Sequence, residues 1–536
     1  MYLDRLLLSN FKKFNNSEFK FDKGMNIVIG QNDSGKSSLL QAIDIALNQR
    51  GNGDWRNTSE YGTLLNVQAK KSFLDNVTNT ISSKMLPRIK IELFFAENNH
   101  EIPLHDNAFY GPNNSTGKQD FGLTFTYSFD DMFTEEFDEL VKNDSLDFIP
   151  FDFYKPNWQM FSGKSYTFRK NPFKSILINT DAVRGDSYKA FTNQFLATLT
   201  TLEQHSLSLK LKQHLVKFNS DISELELDSQ HRLGIDQNRL LVKDTLDVFD
   251  SENNDLFVRD SGSGTENIIK TDLSMSSKQS KLVLLEEPEN HLSFDLARQQ
   301  IEKIEGANEE KRQVIVSTHS PLLASKLGVN QLKWLNSEKK LVSFLDIGND
   351  TRDFFLKADN IDVLQVILAH KVVLVEGSTE YIVMQDIIQA IYGKTANELG
   401  IHIVSMGGNY YKRFIEISKI TKNKILVITD NDAIIKRITD AEKASTDYFM
   451  VKMPDNIENF TFEVALYNQN RDFFSGEKWP HESTKETWHK HSSLDKNLVW
   501  LLDHKPDAAL EYSKAFQNNE ISAPEYITEG LKWLQK

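Results

Sequence analysis

Four short apolar runs limit what this chain can fold into, because each is unbroken and each ends on a turn rich in charge or glycine. They are Met25–Ile29 before Gly30-Gln31-Asn32-Asp33-Ser34-Gly35-Lys36-Ser37, and Lys281–Leu285 before Glu286-Glu287-Pro288. The other two are Val372–Val375 before Glu376-Gly377, and Ile425–Ile428 before Thr429-Asp430-Asn431-Asp432. An apolar run without alternation reads as a strand buried on both faces. Such strands sit in parallel sheets covered by helices, with functional groups gathered beyond their carboxyl ends. The expectation is an α/β chain with separate places for phosphate and metal chemistry.

At 536 residues the chain is too long for one core and implies at least two domains. No run approaches the roughly 18 uncharged apolar residues needed to span a bilayer, so no membrane association is expected. The first residues, Met1-Tyr2-Leu3-Asp4-Arg5, lack the basic-then-apolar layout of a signal peptide. With no cysteine, disulfides, thiolate zinc sites and cysteine nucleophiles are excluded, and a cytoplasmic location is expected. A net charge of −14 argues against a uniformly basic nucleic-acid surface, although clustered metal-binding acids contribute to that deficit. Basic stretches such as Lys210-Leu211-Lys212 and Tyr410-Tyr411-Lys412-Arg413 read, singly, as solvated helix faces.

The first 50 residues read as two strands, a third strand, a phosphate loop and a helix. Residues 51–180 read as antiparallel strands and irregular loops, with Arg88–Phe94 a strand with one wet face. From Ser187 to His231, Phe191, Phe195, Leu196, Leu199, Leu202, Leu207, Leu211 and Leu215 recur at helical spacing. This is an inserted arm (187–250) that either self-associates or packs on its own domain. Strand and helix then alternate from Val372 to Ile428, and about the last 70 residues read as mostly helical. The expected domains are 1–350, a nucleotide-binding domain carrying the arm, and 351–536, a metal-binding domain.

Gly30, Asn32, Gly35, Lys36, Ser37 and Ser38 form a strand–loop–helix phosphate cradle. Glycines let backbone N–H groups face the phosphates, Lys36 reaches the β/γ-phosphates of ATP, and the Ser37 hydroxyl serves Mg²⁺. Glu286 would hold the Mg²⁺ shell and Glu287 would polarise the attacking water. A further strand, Val314–Thr318, leads to His319. The series resembles the ABC-type ATPases, especially those of chromosome maintenance and recombination repair. That resemblance implies that His319 senses the γ-phosphate. It also implies a signature loop supplied by a second subunit, best matched by Gly262-Ser263-Gly264-Thr265-Glu266. This loop departs from Ser-Gly-Gly-Gln, and Glu286 replaces the usual Asp, which separates nucleotide binding from any inference about hydrolysis.

Glu376 and the pair Asp430/Asp432 follow parallel strands, and Glu380 lies one helical turn after Glu376. Four carboxylates around a water-filled pocket suit Mg²⁺ or Mn²⁺. The pattern resembles the TOPRIM fold. An ABC-type ATPase followed by TOPRIM is similar to the OLD (overcoming lysogenization defect) nucleases, which include the nuclease subunit of the Gabija anti-phage system. Glu287-Pro288-Glu289-Asn290-His291-Leu292 and Glu376-Gly377-Ser378-Thr379-Glu380 resemble that family's turns. By that resemblance Glu463, in Thr461-Phe462-Glu463, completes a second metal site, and Lys505 is a catalytic lysine. Read alone, Lys505 is equally a salt-bridged surface residue.

The expected function is a metal-dependent DNA endonuclease controlled by its ATPase domain, in anti-phage defence. The expected partners are DNA, ATP, further copies of the chain as dimer or tetramer, and a UvrD-like helicase. The alternative is a DNA-repair or recombination-mediator ATPase with a non-catalytic TOPRIM domain. A topoisomerase is not expected, because its chemistry needs a nucleophilic tyrosine on a separate DNA-gripping domain and the stretch beyond Asp432 reads as too short to build one.

Overall fold

A computed structural model describes residues 1–49, 58–76, 82–96, 106–143, 147–179, 196, 199–222, 248–250, 256–276, 280–307, 312–320, 323–324, 327–336, 338–348, 350–351, 361–408, 410–475 and 495–536. These form two compact units, Met1–Leu341 and Val342–Lys536.

The strands of the first unit are β1 (Tyr2–Phe11), β2 (Phe14–Lys20), β3 (Met25–Ile29), β4 (Ile89–Ala96), β5 (Tyr110–Gly111), β6 (Asp120–Phe129) and β7 (Tyr154–Met160). They continue with β8 (Ile176–Asn179), β9 (Phe249–Asp250), β10 (Leu256–Phe257), β11 (Leu282–Glu286), β12 (Gln313–Thr318), β13 (Leu332–Leu335) and β14 (Leu341–Ser343), within which the unit boundary falls. One sheet has the order β14-β13-β3-β12-β11-β8, and the pairs from β13 to β8 are all parallel. A second sheet, β2-β1-β4-β6-β5 with β7 on β6, is antiparallel. β3, β11 and β12 are buried at every residue, as unbroken apolar runs demand.

The helix Lys36–Asn48 packs against strands of both sheets, which explains why ten of its thirteen residues are buried. Its final carbonyls are held from the side: Trp158 Nε1 donates to Ile45 O at 3.1 Å and Tyr166 Oη to Leu47 O at 2.6 Å. A helix clamped in this way is a rigid mount for the loop at its N-terminus.

Strand β4 departs from the expectation of a wet face. Glu92 is buried, accepts from Ser115 N at 2.8 Å and pairs with Lys90 at 2.8 Å. Phe94 packs edge-on to Phe161, under the Arg5 guanidinium. The alternating polar positions are thus neutralised by partners rather than by water. Within the expected arm, the helix Thr201–Ile222 forms and exposes Leu202, Leu209, Val216 and Phe218. Residues 187–195 and 223–247 of that arm lie outside the described residues.

The second unit is built on β15 (Lys371–Val375), β16 (Ile401–Ser405), β17 (Lys424–Ile428) and β18 (Phe449–Lys452), in the order β16-β15-β17-β18, all parallel. The intervening helices are Ser378–Tyr392, Tyr411–Thr421 and Ile435–Ala444, and the described C-terminal residues are helical over Phe462–Gln469, Arg471–Phe474, Lys496–Asp503, Lys505–Gln517 and Glu525–Gln535. Among the described residues no helix is long and apolar enough to cross a membrane.

Gly122 tests how tightly the antiparallel sheet closes. A Cβ there would lie 2.1 Å from Leu93 O and 2.4 Å from the Phe161 ring, so neither neighbour can yield cheaply. Gly122→Ala should cost about 1–3 kcal/mol through overpacking. The expected readout is a lower urea midpoint for the first unit, with β-sheet circular dichroism retained below it.

Candidate functional site

In the first unit, strand register brings the phosphate-loop elements into one row. Thr318 pairs with Ile29, and Ser317 with Glu286, so Gly30, Glu287 and His319 all step off the carboxyl edge together. Gly35 has φ 114°, a left-handed backbone that favours glycine, and a Cβ there would strike Phe14 at 2.6 Å. It caps the helix Lys36–Asn48, whose N-terminal amides and dipole favour an anion. Ser37 and Asn32 are exposed at the loop, and Ser38 is buried one residue further into the helix.

Lys36 is buried and folds back on its own loop, donating to Gly30 O at 2.9 Å and Gln31 O at 3.2 Å. Its ammonium also lies 3.8 Å from Glu287 Oε1. Burial lowers its pKa, and Glu287, Glu289 and Glu286 oppose that shift. Glu287 sits at φ 45° just past β11, where its N–H donates to Ser317 O at 2.9 Å. Its Oε2 accepts from His319 N at 3.0 Å and lies 2.7 Å from His319 Nδ1.

Glu289, which the sequence placed only in a family turn, joins this group. Thr318 Oγ1 donates to it, and burial, with the Glu287 charge, pushes its carboxyl up to about 7. One ligand atom each from Glu287, Glu289 and His319 lie within 4.8 Å of one another. The set offers oxygen and imidazole donors to a divalent ion beside a phosphate cradle, a chemistry that Mg²⁺ fits through its carboxylates. Ser263 opens the helix Ser263–Ser276, and Gly264 abuts His291, where a Cβ would fall 2.7 Å from its carbonyl oxygen.

In the second unit, Val375 pairs with Ile428, so Glu376 and Thr429 emerge side by side. Thr429 Oγ1 donates to Glu376 Oε2, which also accepts from Asp430 N at 3.1 Å. Asp430 Oδ1 accepts from Phe462 N at 2.9 Å, which ties the strand end to the helix that carries Glu463. Glu463, Glu380 and Asp430 are all buried. Lys505 Nζ donates to Glu463 Oε2 at 2.9 Å.

Burial, then Glu463, pushes the Glu380 carboxyl up to about 7, with Glu376 adding to the shift. Burial, then Glu380 and Glu463, holds Asp430 well above the carboxylate range. Burial alone would depress Lys505, but Glu463, Asp430 and Glu380 outweigh it and keep its ammonium above the ordinary value. One ammonium thus serves three carboxylates, Glu463, Asp430 and Glu380, with Glu376 beside them. Their oxygens fit Mg²⁺ or Mn²⁺, whose charge would relieve the repulsion that raises these pKa values.

Asp432 is not brought into this cluster, which corrects the expectation that it faces the metal with Asp430. Asp432 and Ala433 both take positive φ, so the chain turns outward. Asp432 is exposed and paired with Arg437. Asn431, between the two acids, is buried and donates to Pro454 O at 2.8 Å and Asn456 O at 3.1 Å.

The sequence reading missed Thr429, which orients Glu376, and two buried tyrosines. Tyr512 and Tyr526 have hydroxyls with no hydrogen-bond partner among the described residues. Leaving a buried hydroxyl unsatisfied costs about 1–3 kcal/mol, so each asks for an explanation.

Residues 1–324 match the AAA ATPase domain family, and residues 367–432 match the family described as overcoming lysogenization defect protein-like, TOPRIM domain. Among curated proteins, the DNA replication and repair protein RecF of Acetivibrio thermocellus is 36% identical over 67 residues, 12% of this chain and 17% of RecF. The Old nuclease of Escherichia phage P2 is 24% identical over 295 residues, 48% of this chain and 50% of that protein. An ATP/GTP phosphatase of Helicobacter pylori is 21% identical over 378 residues, covering 66% of this chain and 92% of that protein. The chain thus spans about a sixth of RecF and half of the Old nuclease.

The raised carboxyls give a signed pH dependence. A carboxyl whose pKa is raised by folding contributes stability below its unfolded value, and loses it as pH climbs through the folded value. For Glu380 that window runs from 4.5 to about 7, and Asp430 acts in the same direction. In EDTA the second unit should therefore melt at a lower temperature at pH 7.5 than at pH 5. Mg²⁺ or Mn²⁺ should restore more stability at the higher pH, and scanning calorimetry reads both effects.

Proposed function

Because the chain belongs to the AAA ATPase family and joins that domain to a TOPRIM domain of the overcoming-lysogenization-defect type, we propose that it is a metal-dependent DNA endonuclease regulated by nucleotide. The observation that carries this reading is the buried trio Glu380, Asp430 and Glu463, with half-buried Glu376 at its edge and Lys505 paired to Glu463, at the carboxyl edge of a parallel sheet. A purely structural site has little reason to bury so much like charge. Mg²⁺ or Mn²⁺ held by these oxygens, two ions by family resemblance, supplies stabilisation of the attacking and leaving oxygens at a scissile phosphate. Lys505, held protonated by its acidic neighbours, is placed to neutralise charge developing on that phosphate.

Within the ATPase domain, Gly30, Asn32, Gly35, Lys36, Ser37 and Ser38 cradle ATP–Mg²⁺, Glu286 serves the ion, Glu287 orients water, and His319 reads the γ-phosphate. On ATP binding Lys36 would exchange the loop carbonyls of Gly30 and Gln31 for phosphate oxygens. The turn carrying Ser263 serves the phosphate site of a second copy, which makes the working form a homodimer or tetramer. A cytoplasmic role in antiviral defence, with a UvrD-like helicase as partner, goes with the same reading. The likeness to RecF favours one second reading, a recombination-mediator ATPase whose TOPRIM domain binds without cutting.

Plasmid nicking by the purified chain in Mn²⁺ separates the two. Glu376→Ala and Asp430→Ala should each lower cleavage by roughly 100-fold or more, with the melting temperature in EDTA kept or raised. Unchanged cleavage in both would remove the site assignment, and an inert wild type would favour the second reading.

Lys36→Ala addresses regulation, because it touches the phosphate cradle and leaves the carboxylates intact. It should keep cleavage yet lose the response to ATP, expected to be inhibition. Identical ATP titration curves for the wild type and Lys36→Ala would show the two activities to be uncoupled.

A further inference from the structure

The C-terminal helix Glu525–Gln535 lies along β17 and β18, and three contacts set its direction. At its far end Lys371, the first residue of β15, donates to Gln535 Oε1 at 2.7 Å. In its middle Gly530 presses on β17, so that a Cβ there would lie 2.7 Å from Leu426 Cδ1. Beside it Lys452, the last residue of β18, donates to Glu529 at 2.6 Å. The helix therefore runs against the strands, with its N-terminus toward their carboxyl edge.

Tyr526 stands four residues before Gly530, about 6 Å further along at 1.5 Å per residue. Asp430 stands four residues beyond Leu426 in the same direction, about 13 Å at roughly 3.3 Å per strand residue. Tyr526 thus lies on the side of Leu426 toward the strand end that carries the carboxylates. Its ring is buried and its hydroxyl has no hydrogen-bond partner among the described residues. Burial, then the charges of Asp430, Glu380 and Glu463, raise this phenol well above its ordinary value.

We propose that Tyr526 is a positioning residue for metal binding, whose hydroxyl donates to the Asp430 carboxylate when a divalent cation draws the acids together. The inference rests on the reading of these acids as a metal site. Asp430 Oδ1 already accepts the Phe462 N–H, and a second donor fixes the plane of the carboxylate. Partners of this kind hold ligand oxygens in one orientation, and their loss typically weakens metal affinity about 10- to 100-fold. Tyr392 provides a contrast in the same unit. Its hydroxyl also has no partner among the described residues, but burial is the cause that raises it.

The test is calorimetric titration of Mn²⁺ into the full chain at pH 7.5, comparing wild type, Tyr526→Phe, Tyr392→Phe and Glu376→Ala. Melting temperatures in EDTA are recorded for each. Tyr526→Phe should raise the Mn²⁺ dissociation constant about 10-fold or more while its metal-free melting temperature holds. Tyr392→Phe should bind as wild type, and Glu376→Ala should bind poorly. Wild-type affinity in Tyr526→Phe, with Glu376→Ala impaired, overturns the role of Tyr526 and leaves the metal site standing. Weaker binding accompanied by a lower metal-free melting temperature assigns Tyr526 to packing and also overturns the proposal. A wild-type chain that takes up no Mn²⁺ removes the metal reading and this inference together.

Discussion

Like charge held out of water is the condition around which the second unit is arranged. Glu380, Asp430 and Glu463 are buried within one site, with Glu376 at its edge and Lys505 as the paired cation. Carboxylates in such a place either take up protons or hold a cation. The raised pKa values of Glu380 and Asp430 express the first outcome, and the oxygen-rich donor set invites the second. The fold tolerates this strain because the backbone around the acids is fully engaged. Thr429, the Asp430 amide and the Phe462 amide each donate to a site carboxylate.

Both units solve the same geometric problem. A parallel strand buried on both faces has no freedom to tilt, so the residue just past its end is placed to within the register of its neighbours. Ile29 beside Thr318, Glu286 beside Ser317, and Val375 beside Ile428 each set two functional turns next to one another. In the first unit a second layer adds stiffness. The antiparallel sheet closes over the helix Lys36–Asn48, and the side chains of Trp158 and Tyr166 take its final carbonyls. The phosphate loop is thereby mounted on an element that the core holds from two sides.

Much of this was legible because unbroken apolar runs are rare and their ends are conspicuous. β3, β11, β15 and β17, the helix after Lys36, the alternation from Val372 to Ile428 and the helical C-terminal region all follow from pattern alone. What pattern could not reach was direction at single residues. Asp430 and Asp432 look equivalent in sequence, yet two consecutive left-handed residues rotate Asp432 toward Arg437. An alternating strand such as β4 announces a wet face, but Lys90 and Ser115 satisfy Glu92 in place of water. Tyr512 and Tyr526 sit at helical spacing among apolar residues, where a tyrosine reads as core. Only their unpartnered hydroxyls distinguish them, and that is a property of three-dimensional packing.

The two sites handle cations in opposite ways, and this difference frames any coupling between them. In the first, the lysine is stored against the carbonyls of its own loop and close to Glu287, and it is released only if an anion competes for it. The loop amides and the helix N-terminus supply that attraction to phosphate, and ATP arrives with its own Mg²⁺. In the second, a cation would be captured from solution by the acids themselves, with protons competing for the same oxygens. Nucleotide occupancy would then be governed by phosphate affinity, and metal occupancy of the carboxylate site, on the reading proposed above, by free divalent ion and pH. A chain built in this way has two independent inputs, so control of one by the other requires a conformational change that one ligand favours and the other reads.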